Sequence, residues 1–101
     1  MRGVLGYKKR RASISLDDLM ALWEKQSGLC AISGVPMTYS KGCGDAGTNI
    51  SLDQIIPGGG YALGNIQLVC RIVNIMKWNS SDEKFRFWVK KLHSALFGGT
   101  A

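Results

Sequence analysis

The chain has 101 residues, 46% of them hydrophobic and 20% charged, with 13 Lys+Arg, 7 Asp+Glu, one His and three Cys. That size and apolar content suit one small folded domain and exclude general disorder, and no apolar run reaches the roughly 18–20 residues of a membrane span. The net charge of +6 is uneven, because residues 1–11 carry Arg2, Lys8, Lys9, Arg10 and Arg11 without an acid while the remainder is nearly neutral.

Such an arm serves either as a solubilising tail or as a grip on an anionic polymer. No apolar core follows its charges, so no signal peptide is expected. Three cysteines do not suit a secreted disulfide scaffold, which points to a reducing, cytoplasmic compartment.

After the arm (residues 1–14), Ser15-Leu16-Asp17-Asp18 reads as an N-cap with acids in the first turn. Leu16, Leu19, Met20 and Trp23 follow at helical spacing and Gly28 supplies a stop, predicting an amphipathic helix over about 16–27. Residues 38–49 read as a loop, and the alternation of Ile50–Ile55 reads as a strand. Pro57-Gly58-Gly59-Gly60 breaks it, and Ile66–Cys70 is a second strand. The connection is too short for a parallel crossover, so an antiparallel hairpin with a wide loop is expected.

A short helix over Arg71–Trp78 follows, with Arg71, Asn74 and Lys77 sharing one side. Ser80-Ser81-Asp82-Glu83 resembles a capping box for a last helix whose core stripe is Phe85, Trp88, Val89, Leu92 and Leu96. Trp23, Trp78 and Trp88 are read as packing residues. Phe97-Gly98-Gly99 closes the domain (15–97), and residues 98–101 form a tail.

The informative unit is S-L-D-Q-I-I-P, a glycine loop, G-Y-x-x-G-N, I-Q-L-V-C and V-N-x-M-K, running from Ser51 to Lys77. With the preceding L-W-E-K-Q-S-G-L-C-A-I-S-G-V-P-M, it resembles the HNH endonuclease family over roughly residues 15–90, most closely the small HNH proteins of phages and mobile elements. The resemblance implies an α+β fold: a ββα-metal (His-Me finger) hairpin-helix core with flanking N- and C-terminal helices. It implies divalent-metal-dependent hydrolysis of DNA phosphodiester bonds, in a bacterial host cell, on mainly double-stranded DNA.

Hydrolysing a phosphodiester needs a water nucleophile, a proton acceptor and positive charge near the departing oxygen, which one divalent ion can supply. Mg²⁺ or Mn²⁺ prefers oxygen ligands and keeps waters, so one or two protein oxygens suffice. By resemblance, Asp53 and Asn74 fall at the metal-ligand positions, and Asn65 falls at the central Asn that braces the loop. Read singly, Asp53 is a solvent-facing strand residue and Asn65 is turn chemistry, whereas Asn74 is costly on an apolar helix without partners.

The family places His directly after the aspartate as general base, and this chain has Gln54. A glutamine amide can hold a water but accepts no proton, and losing a general base costs about 10²–10⁴ in rate. His93, the single histidine, and Tyr61 offer no convincing substitute. Three explanations stand: an introduced His-to-Gln change, a natural variation of small phage relatives, or a degenerate protein that binds DNA without cutting. The intact remainder of the motif favours the first.

Family members with structural zinc carry paired CxxC motifs. Here Cys30-x-x-Ser33 and Cys70-x-x-Val73 each lack the second cysteine and Cys43 is at unsuitable spacing, so no structural zinc is expected. Lys8, Lys9, Arg10 and Arg11 are expected to neutralise phosphates, and Arg71 and Lys77 to hold the scissile one. A non-catalytic DNA-binding module is the alternative function. A homodimer would suit a palindromic target, but no dimer face is assignable from sequence.

Overall fold

In a computed structural model, residues 14–39 and 47–98 are described. The arm residues Arg2, Lys8, Lys9, Arg10 and Arg11, together with Cys43 and residues 99–101, lie outside them. The described chain is a small α+β protein of three helices and one two-stranded antiparallel sheet. None of its helices is long and apolar enough to cross a membrane.

Helix α1 spans Leu16–Lys25. Ser15 Oγ accepts from the Asp18 N–H at 3.1 Å, and Asp18 Oδ2 accepts from the Ser15 N–H at 3.0 Å. This reciprocal cap meets two donors that the first turn otherwise leaves open. The helix stops short of the expected 27 because Ser27 and Gly28 both take positive φ. A Cβ at Gly28 would lie 3.0 Å from the Trp23 ring, so close approach as well as backbone angle requires glycine there. Ile14, assigned to the arm from sequence, is buried in the core, so the folded body begins there at the latest.

Strands β1 (Ile50–Gln54) and β2 (Ile66–Cys70) pair with Ile50 opposite Cys70 and Gln54 opposite Ile66. Alternation divides the hairpin into two faces. Ile50, Leu52, Ile66, Leu68 and Cys70 join Leu19, Cys30, Ile32 and Met37 in the core. Ser51, Asp53 and Gln67 belong to the opposite, polar face, where Asp53 stands directly across from Gln67.

A sheet of two strands is marginal in water unless its edges and faces are covered. Gln26 covers the edge of β2: its Nε2 donates to Leu68 O at 2.8 Å and its Oε1 accepts from Leu68 N at 3.0 Å. One side chain thus replaces a neighbouring strand at Leu68, helped by the Ala31 N–H on the same carbonyl. At the β1 edge, Thr38 accepts from Ile50 N at 2.8 Å in a single parallel bridge.

Helix α2 (Arg71–Lys77) begins on the residue after β2, and helix α3 spans Asp82–Phe97. Carbonyls of Asn49 and Gly47 accept the Arg71 and Ile72 N–H groups, so the loop before β1 caps α2. At α3, Ser81 is the N-cap and accepts from Lys84 N. With Lys84 at the third helical position no acid returns the bond, so the expected capping box is only half made.

The expected core stripe of α3 is not buried. Phe85 packs against the core, but Trp88, Val89 and Leu92 are about half exposed and Leu96 is 72% exposed. Sixteen residues of helix extend about 24 Å, beyond what the seven-residue α2 can cover. Trp78 is also exposed, against the expectation of packing, whereas Trp23 is partly buried and meets Tyr39 edge-on.

Replacing Gln26 by Ala leaves the outward N–H of Leu68 without its partner. Urea unfolding is expected to show a loss of about 1–3 kcal/mol, the cost of an unmet buried group.

Candidate functional site

Helix α2 lies across the polar face of the hairpin because Asn74 and Lys77, three residues apart, share one side of it while Val73 enters the core. Asn74 Nδ2 donates to Ser51 Oγ at 2.6 Å and to Leu52 O at 3.2 Å. The carbonyl partner fixes which end of the amide is nitrogen. Among the described residues no hydrogen bond is recorded to Asn74 Oδ1 or to Asp53 Oδ1.

One turn after Asn74 is Lys77, whose side chain is fully buried. Its ammonium reaches Asp53 Oδ2 at 2.6 Å, Asp82 Oδ1 at 2.7 Å and Gln54 O at 3.1 Å. These three acceptors match the three donors of an ammonium. Gln67 Nε2 links the same two carboxylates, donating to Asp53 Oδ2 at 2.9 Å and Asp82 Oδ2 at 3.1 Å. Burial pushes the Lys77 pKa down, but hydrogen bonds and charge from the two carboxylates outweigh it and leave the pKa above the ordinary lysine value.

Lys77 therefore corrects one expectation. Read from sequence as a phosphate contact, it is instead an internal cation, because Asp53 and Asp82 satisfy its charge inside the fold. Arg71, at the start of α2, is exposed.

The hairpin loop is organised by Asn65. Its Oδ1 accepts from Ile56 N at 2.8 Å, and its Nδ2 donates to Ile56 O at 3.1 Å and Gly60 O at 2.9 Å. Gly59 passes so close that a Cβ there would lie 2.7 Å from Asn65 Nδ2. Gln54 points into the same loop, where its Oε1 accepts from Gly58 N at 2.9 Å. The glutamine oxygen is thus tied to the loop backbone, while its NH₂ group can still donate to a water.

Tyr61 is partly buried beside the core. His93 is exposed on α3 and borders an apolar groove with Ile32, Val73, Met76 and Phe85, which none of Asp53, Gln54, Asn65 and Asn74 enters. Cys30 and Cys70 are both free and buried, and the Cys70 N–H donates to Cys30 Sγ at 3.3 Å. Burial, reinforced by Cys30, pushes the Cys70 thiol up to about 11. At Cys30 burial acts the same way, but hydrogen bonds from Ser33 and the Cys70 backbone outweigh it and hold the thiol below its usual value. Among the described residues, no three His, Cys, Asp or Glu side chains gather as a metal cluster.

The donor set can still be tested against a hard cation. Asp53 and Asn74 each commit one atom to the protein and, among the described residues, keep one carboxylate or amide oxygen uncommitted, the donor chemistry that Mg²⁺ or Mn²⁺ takes with water completing the shell. These residues fit a mostly hydrated ion and do not fit an all-protein cage. Sequence reasoning missed Ser51, Gln67 and Asp82, and the only signal for Gln67 was its register opposite Asp53.

Replacing Lys77 by Met should cost about 3–5 kcal/mol in urea unfolding at pH 7, because Asp53 would remain buried without a cation. The sign with pH follows from the raised pKa. The stabilisation is complete below the unfolded lysine value near pH ~10.4 and is lost as pH rises through the higher folded value. A stability–pH curve should therefore fall in that alkaline range for the wild type and lack that component in the variant. The chain matches no known family model and none of the curated proteins.

Proposed function

We propose that the chain binds double-stranded DNA and hydrolyses its phosphodiester bonds in the HNH manner, with one divalent cation at Asp53 and Asn74, at a rate limited by Gln54. The observation that carries this reading is the placement of α2 across the hairpin. It sets Asn74 on Ser51, two residues from Asp53 on the same face, with a free oxygen on each ligand candidate.

The cation would polarise the phosphate and stabilise the leaving oxygen. Asn65 holds the loop that carries Gly58, and Gly58 in turn holds Gln54. Gln54 can orient a water through its NH₂ group but cannot take its proton, so the attacking water must lose that proton to solvent. The exposed Arg71 and the cationic arm supply phosphate contacts without reading sequence.

A second reading has its own observation. The Lys77 ammonium on Asp53 already balances that carboxylate, as expected of a non-catalytic DNA-binding module that keeps the fold. Gln54→His separates the two. On the nuclease reading it raises plasmid nicking or cleavage at saturating Mg²⁺ or Mn²⁺ by at least about tenfold, the low side of a general base. DNA retention without metal-dependent cleavage in either form favours the binding module, whereas equal cleavage by both forms would remove Gln54 from the general-base position.

The arm makes a separate prediction. If its five cations all contact phosphate, log K against log salt falls with a slope that includes about −4 to −5 from the arm. Deleting residues 1–11 should weaken duplex binding and flatten that slope, measured by fluorescence anisotropy across salt concentrations. An unchanged affinity and slope would remove the arm from the interface.

A further inference from the structure

We propose that Lys77 is a built-in place-holder for the divalent cation, its ammonium and the metal competing for the Asp53 carboxylate; this rests on the metal-dependent reading above. The ammonium is buried and sits 2.6 Å from Asp53 Oδ2, on the carboxylate that the cation needs. A dication at Asp53 Oδ1 would share one carboxylate with a positive charge already in contact with it. The two cations repel each other in a partly dry site, where such repulsion is strong.

The surroundings supply a way to resolve the conflict. Asp82 Oδ1, 2.7 Å from the same Nζ, belongs to the first residue of α3 and is 30% exposed on its side chain. It is a second dock, outside the Asp53–Asn74 pair. When the dication takes Asp53, Lys77 keeps Asp82 and the Gln54 carbonyl, so no buried charge is left unmatched. Gln67 donates to both carboxylates and holds Asp53 in place while the ammonium shifts. Asp82 thereby regulates metal affinity without binding the metal: it sets how readily Lys77 gives up Asp53.

The test is Mn²⁺ binding to the whole chain without DNA, read from the electron paramagnetic resonance signal of free Mn²⁺, with thermal melts to verify folding. The double variant Lys77→Met/Asp82→Asn removes one charge of each sign, so its net charge equals that of the wild type while the ammonium is gone from Asp53. It is expected to bind Mn²⁺ at least about tenfold tighter, a difference of about 1.4 kcal/mol. Asp82→Asn alone keeps the ion pair with Asp53 and should bind several-fold more weakly. Loss of binding in Asp53→Asn assigns the ion to this carboxylate.

Binding by the wild type with equal or weaker affinity in the double variant overturns the place-holder while leaving the metal site standing. Absence of binding in both overturns the metal-dependent reading along with it. If the double variant does not fold, Asp82→Asn decides alone, and unchanged or tighter binding there overturns the proposal.

Discussion

The contact on which the rest of this small structure depends is the buried ammonium of Lys77. Its three acceptors come from two elements, Asp53 and the Gln54 carbonyl on β1 and Asp82 at the start of α3, while the lysine itself belongs to α2. One cation thus ties a strand and two helices at a single point. An isolated charge buried this deeply would be prohibitive, and the arrangement is tolerable only because all three donors are matched and two carboxylates share the charge. The polar face of the hairpin can therefore be internal without being apolar.

The same economy governs the sheet. Two strands have two open edges, and here side chains do much of the work of missing strands. Gln26 mimics a backbone neighbour at Leu68 on one edge, while Asn74 and Lys77 reach the carbonyls of Leu52 and Gln54 on the other. The residues proposed to serve chemistry are therefore also structural. The Asn74 nitrogen is occupied in holding α2 to β1, which leaves its oxygen turned away from its partners Ser51 and Leu52.

The parts of this arrangement that sequence revealed are those with local causes. Alternation in Ile50–Gln54 and Ile66–Cys70, the cap at Ser15 and helical spacing before Gly28 all act within a few residues, and the elements follow them closely. The order of Asp53, Asn65 and Asn74 was legible as a motif. Lys77 was not, because its position on the helix gives its side but not what faces that side. Its inward course depends on Asp82, brought by the next helix, and on Gln67, brought by strand register. The stripe of α3 misled for a related reason: apolar spacing shows which face could be buried, and only the length of the opposing element decides how much of it is.

The direct junction between β2 and α2 has a consequence of a different kind. No residue separates Cys70 from Arg71, so the rotational phase of the helix is set by the register of the strand. One residue inserted there would turn the helix by about 100°, carrying Asn74 and Lys77 off the hairpin together while leaving every side chain present. The site is thus constrained in length as strictly as in composition, and drift by insertion would erase it more completely than most single substitutions.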